Sequence, residues 1–137
     1  MLRRISHLGL AVKDLDAAVR LYEGVFGLEV ERRWVAEADQ MEAAAFRVGD
    51  MEIELMQPLA EDSPIGRFIA RRGEGVHHVA YKVDDVADAL TRARESGIET
   101  IDEHPREGGG GLTRIGFLHP RSTLGVLTEL EEDVPRR

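Results

Sequence analysis

The sequence predicts an α+β fold in which two fused βαβββ modules contribute eight strands to one cupped sheet. Three observations lead there. Residues 7–15, His-Leu-Gly-Leu-Ala-Val-Lys-Asp-Leu, return at 78–86 as His-Val-Ala-Tyr-Lys-Val-Asp-Asp-Val, an offset of 71 residues. Each copy reaches an aspartate, Asp14 or Asp85, placed where a helix N-cap belongs, just before an apolar-periodic stretch. The closing segments match as well: Met51-Glu52-Ile53-Glu54-Leu55 resembles Val126-Leu127-Thr128-Glu129-Leu130. Self-similarity at a fixed offset is the mark of a repeated supersecondary unit.

The elements follow in order. Strand-like patterning starts near the first residue, and the apolar period of a helix then runs over 15–26 to Gly27, a residue suited to ending it. Strands are expected over 28–35, 41–48 and 51–56. The dipeptide Gly49-Asp50 separates the last two as a tight hairpin would. Asp62-Ser63-Pro64 opens a short helix ending near Arg72, because proline suits the first helical position. Gly73-Glu74-Gly75 leads into the second copy, with a helix over 86–96 stopped by Gly97 and strands over 98–103, 112–118 and 125–130. The glycine run 108–111 lacks the Gly-Lys-Ser/Thr of a phosphate loop and opens no helix. It reads as a connection needing positive φ. The whole is one domain, with module one at about 5–58, module two at about 75–132, and no flexible linker. The last residues, 134–137, are expected to fray.

Composition narrows the function. A formal charge of −8 leaves no basic footprint for nucleic acid. No apolar run approaches the roughly 18 residues of a membrane span, and no secretory signal opens the chain, so the expected location is cytoplasmic. The absence of cysteine excludes disulfides, thiolate zinc sites and cysteine nucleophiles.

Four polar residues hold equivalent places in the two modules: His7 and His78 open them, and Glu54 and Glu129 close them. A single histidine at the start of a strand is more often an ordinary hydrogen-bonded residue than a ligand, but recurrence of the same residue types at matching positions favours ligation. Strand alternation sets each glutamate apart from its aliphatic neighbours, toward the face that carries no helix. Two imidazoles and two carboxylates suit a divalent ion such as Co²⁺, Mn²⁺, Zn²⁺, Ni²⁺ or Mg²⁺, and four protein ligands leave positions open for substrate. His77 points to the opposite strand face and reads as structural. His104 reads as a surface loop residue. Arg106, Arg114 and Arg121 flank the glycine run and could meet anionic groups.

The paired modules resemble the vicinal oxygen chelate superfamily (glyoxalase, bleomycin resistance and dioxygenase proteins). Within it the chain is similar to the methylmalonyl-CoA epimerase family over nearly its full length. The segments that carry the likeness are residues 7–15, 48–55, Asp62-Ser63-Pro64-Ile65, Arg72-Gly73-Glu74-Gly75-Val76-His77-His78 and Phe117-Leu118-His119-Pro120-Arg121-Ser122-Thr123. The resemblance implies His7, Glu54, His78 and Glu129 as metal ligands, with Co²⁺ the favoured ion. That family also has members with Gln where this chain has Glu54, so the glutamate adds a negative charge. The implied reaction inverts C2 of methylmalonyl-CoA by removing and returning the α-proton, the metal serving as Lewis acid for the developing enolate. Glu129 is the first acid/base candidate, and Glu42 or Glu54 the second. His119, Arg121 and Ser122 are the candidate substrate contacts. The implied partners are an acyl-CoA substrate and a second copy of the chain in a homodimer, with no nucleic acid and no membrane. Glyoxalase I, which uses a glutathione hemithioacetal, is the rival enzyme. A non-catalytic small-molecule-binding protein of the same fold is the rival from another class.

Overall fold

The computed structural model describes residues Met1–Pro135; the end of the expected frayed tail, residues 136–137, lies outside them. Within the described part of that tail, the Val134 N–H donates to the Leu112 carbonyl at 3.0 Å, so this residue is held. The chain forms two compact units, His7–His77, and Met1–Ser6 together with the chain from His78 onward. The divisions fall inside two strands, β1 (Arg4–Ala11) and β5 (Gly75–Lys82), each just before the histidine that opens a repeat.

The unit His7–His77 holds most of β1, α1 (Leu15–Gly24), β2 (Val30–Ala36), β3 (Met41–Val48), β4 (Met51–Pro58) and α2 (Pro64–Arg72). Asp14 starts α1 by accepting from the Ala17 N–H at 3.1 Å. Ser63 does the same for α2 toward the Gly66 N–H at 3.1 Å, with Pro64 in the first turn. The strands lie in the order β2-β3-β4-β1. β4 runs antiparallel to β3 and parallel to β1. One sheet face packs on α1 through Leu15, Val19, Ala44, Phe46 and Leu55, and Tyr22 stacks on Phe46 at 5.3 Å. The other face carries Ala11, Ala43 and Met56, covered by Ile65 and Phe68 of α2. The hairpin of Val48 to Met51 turns on Gly49 at φ 61°, a conformation glycine adopts without strain.

The second unit repeats the plan. β5 pairs in parallel with β8 (Thr128–Asp133), then come β7 (Thr113–Leu118) and β6 (Arg106–Gly108). Helix α3 (Val86–Glu95) starts at Asp85, which accepts from the Asp88 N–H at 3.0 Å. Its face packs through Val86, Ala89, Leu90 and Ala93 onto Leu118 and Leu130. Among the described residues, no helix is long and apolar enough to cross a membrane.

Two expectations for this unit need correction. The strand expected over 98–103 is reduced to one bridge, Thr100 to Leu118. The Asp102 carboxylate takes the Phe117 N–H at 2.8 Å, so a side chain occupies the donor that a ladder would have used. The outer strand forms instead at Arg106–Gly108, partly inside the expected loop, and pairs with β7. Gly109, Gly110 and Gly111 follow as a tight turn at φ 58°, 69° and 93°. That is the positive-φ connection the glycine run implied.

Candidate functional site

Each unit builds one buried histidine–glutamate pair, and each builds it the same way. In the first, β1 and β4 align Gly9 with Glu54. That register brings His7 Nε2 to 2.8 Å from Glu54 Oε2, with the two side chains only 2% and 8% exposed. In the second, β5 and β8 align Ala80 with Glu129, the same step 71 residues on. His78 Nε2 lies 3.5 Å from Glu129 Oε1, and both side chains are again buried. A residue with little or no side chain, Gly9 or Ala80, stands opposite each glutamate, which leaves room for the imidazole two residues earlier.

Arginines face these pairs. On β2 a bulge between Val30 and Arg32 switches the alternation, so Val30 packs with the α1 core while Arg32 and Trp34 face the other way. The Arg32 guanidinium lies 3.1 Å from Glu52 and 3.8 Å from Glu54 Oε1, and it stands over the Trp34 ring at 4.5 Å. In the second unit Phe117, aligned with Glu129, packs edge-on against the His78 ring at 5.4 Å. Arg106, held by Asp102 at 3.1 Å, stands over that phenyl ring at 5.5 Å. Sequence reading singled out Arg106 but missed Arg32 and Phe117. Strand alternation could not have assigned Arg32 to this face, because the bulge after Val30 changes the face of every later residue of β2.

The remaining candidates divide. Glu42 does not join Glu54. It aligns with Gln57, whereas Glu54 aligns with Ala45 three residues along β3, so the two glutamates point to opposite faces. Glu42 lies on the α1 side, where Arg33 reaches it at 2.8 Å and also holds Asp16 of α1 at 2.7 Å. His119 accepts the Arg121 N–H on Nδ1 at 3.0 Å and so caps the turn Pro120–Ser122. Arg121 pairs with Glu99 at 3.0 Å, and Ser122 Oγ accepts the Glu99 N–H at 3.0 Å. All three tie the Pro120–Ser122 turn to itself or to Glu99. Arg114 stands on an exposed position of β7 aligned with Glu132, one step out of alternation with Phe117. His77 packs edge-on against Phe68 at 4.9 Å. Burial pushes its imidazole down to about 4, leaving it neutral, as a structural residue would be. His104 is exposed, as expected.

The donors present suit a divalent ion. Imidazole nitrogen and carboxylate oxygen are ligands that first-row ions accept. Each pair offers both within one sheltered spot, and a charge buried this deeply calls for a counter-ion.

Residues 6–117 match the family model described as the glyoxalase/bleomycin resistance protein/dioxygenase superfamily. An ethylmalonyl-CoA/methylmalonyl-CoA epimerase from Cereibacter sphaeroides is 34% identical, over 96% of this chain and 99% of that one. A solved methylmalonyl-CoA epimerase in complex with methylmalonyl-CoA and NH4+ superposes with a TM-score of 0.94 at 38% identity, covering 98% of this chain and 96% of that chain. A Streptomyces coelicolor methylmalonyl-CoA epimerase variant in complex with 2-nitronate-propionyl-CoA gives 0.93 at 37% identity, covering 98% and 100%.

Proposed function

Because the chain belongs to the glyoxalase/bleomycin resistance/dioxygenase superfamily, and has the fold of the solved epimerases, we propose that it is a metal-dependent epimerase acting at C2 of methylmalonyl-CoA. The observation that carries this reading is the repeated buried pair, His7 with Glu54 and His78 with Glu129. In this reading the four residues together hold one divalent ion, with Co²⁺ the first candidate. The ion would supply Lewis acidity to the thioester and carboxylate oxygens of the substrate, which lowers the cost of charge at C2.

The chain's own residues do the rest. The Glu129 carboxylate takes the C2 proton from one face and can return it. Inversion needs a second group on the other face, and Glu54 fills that place. Glu42, on the α1 side of its sheet, is left out of the chemistry. The sheltered positions of both pairs keep bulk water from the developing carbanion. His119, Arg121 and Ser122 shape the turn before β8, and any contact they make with the acyl-CoA is through that turn. The working unit in this reading is a homodimer, to be checked by sedimentation.

The test is incubation of one methylmalonyl-CoA epimer in D₂O, with and without Co²⁺. Deuterium at C2 together with appearance of the other epimer supports the reading. Ethylmalonyl-CoA belongs in the same assay, since the Cereibacter relative carries both names. Absence of exchange with the metal present, or glutathione-dependent consumption of methylglyoxal instead, overturns it.

A further inference from the structure

The first unit holds two carboxylates, Glu52 and Glu54, on one face of β4, and both are sheltered. Glu54 divides its oxygens: Oε2 lies 2.8 Å from His7 Nε2, and Oε1 lies 3.8 Å from the Arg32 guanidinium. Arg32 comes from β2, two strands away. The registers set Arg32 opposite Ala45 and Ala45 opposite Glu54, so the three form one row on one face. Ala45 is fully buried and carries only a methyl group, which lets the long arginine side chain cross the middle strand. Trp34 supports the guanidinium from its ring face, and Arg47 lies 3.7 Å from the other oxygen of Glu52. Arg32 thus bridges the two carboxylates, Glu52 at 3.1 Å and Glu54 at 3.8 Å, while Arg47 is shared between Glu52 and Glu31, the latter at 3.2 Å.

We propose that Arg32 is a positioning and charge-setting residue for Glu54, and that the pair tunes the site to accept a 2-carboxyacyl thioester. The inference rests on the function proposed above. Two neutral histidines, two glutamates and a divalent ion sum to zero, which gives no net attraction for a substrate carboxylate. Arg32 sets one positive charge against the two carboxylates of that face of β4, Glu52 and Glu54, so that less negative charge meets a substrate carboxylate. The Arg32–Glu54 pair is in this respect the electrostatic equivalent of a neutral amide at position 54. Removing Arg32 alone makes the site hold the ion more tightly and the anionic substrate more weakly. Removing the charge of Glu54 as well restores both.

The experiment measures two affinities by calorimetry, that of Co²⁺ for the full chain, and that of malonyl-CoA against acetyl-CoA for the Co²⁺-loaded protein. The proteins are wild type, Arg32→Met, Arg32→Gln, Glu54→Gln and Arg32→Met/Glu54→Gln, with thermal unfolding followed for each. Expected is about tenfold tighter Co²⁺ binding in both Arg32 variants, within the reach of one unit charge a few ångströms away. A loss of preference for malonyl-CoA of about the same size accompanies it. The double variant returns toward wild type on both affinities, and in Arg32→Met, where Glu54 is intact, the KM for methylmalonyl-CoA rises as the malonyl-CoA affinity falls. Arg32 variants that bind Co²⁺ and malonyl-CoA as wild type does, or effects that simply add in the double variant, overturn the inference while leaving the epimerase reading intact. A wild-type protein that binds no divalent ion overturns both.

Discussion

Glu54 meets His7 at 2.8 Å because the parallel β1–β4 ladder sets Gly9, not a larger residue, across from it. Ala80 stands in the same relation to Glu129. A parallel pair needs a crossover between its strands, and in both units that crossover begins with an Asp-capped helix, α1 or α3. The repeated His-to-Asp segment therefore does two things at once. It opens the helix that covers one face of the sheet, and it places a histidine on the other face, beside the strand that closes the module.

If these pairs hold one ion, His7→Ala and His78→Ala should each weaken Co²⁺ binding by more than the roughly 10–100-fold that follows loss of a residue merely supporting a ligand. The fold should persist, but thermal unfolding without metal should come earlier, since each truncation empties a buried position and leaves a buried glutamate without its imidazole neighbour. Calorimetric titration with Co²⁺ beside a melting curve checks both halves. Unchanged affinity in either variant removes that histidine from the ligand set.

Gly66 offers a test of packing alone. A Cβ at this position would sit 2.5 Å from the Glu61 carbonyl oxygen and 2.6 Å from that of Ala60. Both are backbone atoms in the turn capped by Ser63, so neither yields as a flexible side chain would. Gly66→Ala should cost about 1–3 kcal/mol, the range for overpacking a close contact. Urea unfolding measures it, and a stability equal to wild type would mean that the α2 N-terminus shifts freely.

How far the sequence could be read depended on the range of the interaction. The caps at Asp14 and Asp85 lie within three residues of their partners, and both were legible. The strand expected over 98–103 failed because Asp102 bonds a backbone group 15 residues away, which no local pattern records. Glu42 is a different case. The two-residue turn at Gly49-Asp50 pairs Val48 with Met51, and stepping outward puts Ala45 opposite Glu54 and Glu42 opposite Gln57. The hairpin itself thus assigned Glu42 to the wrong face for a partner of Glu54. Arg32 was harder, because the bulge after Val30 resets the alternation of β2.

Lys82 holds a second charge cluster, built on the buried Glu131. Its Nζ lies 2.8 Å from Glu131 and 2.7 Å from Asp133, and Ser6 Oγ also donates to Glu131. Burial by itself would lower the lysine, but its hydrogen bonds to Asp133 and Glu131 outweigh that and hold it above its ordinary value. Lys82→Met leaves Glu131 buried without its ammonium partner and should cost on the order of 3 kcal/mol. The double variant Lys82→Met/Glu131→Leu should recover most of the loss. A lysine raised on folding contributes in full below its unfolded value and loses the contribution as pH climbs through the folded one. The deficit of Lys82→Met should therefore stay constant across neutral pH and shrink only above about pH 10.4. Denaturant unfolding at several pH values reads this, and a deficit that fades near pH 7 would contradict it.

The chemistry separates two glutamates that a sequence reading can place together. Glu129 is buried beside His78, and in the proposed function it would both hold an ion and move the C2 proton. Glu42 is partly exposed and paired with Arg33 on the α1 side. Glu129→Gln keeps an oxygen donor but loses the basic carboxylate, so α-proton exchange should fall by about 10²–10⁴, the usual share of general acid–base catalysis. Glu42→Gln should leave exchange unchanged and cost only the 0.2–1 kcal/mol or so of an exposed ion pair. Exchange is followed by NMR in D₂O from each epimer separately, with metal content measured in the same samples. A two-base enzyme predicts unequal damage: Glu129→Gln should slow proton loss from one epimer more than from the other, because the group on the opposite face is intact. Equal, wild-type exchange from both epimers at full metal content would leave Glu129 as a ligand alone. A collapse in Glu42→Gln without loss of stability would require that glutamate to reach the substrate, against the register that turns it toward α1.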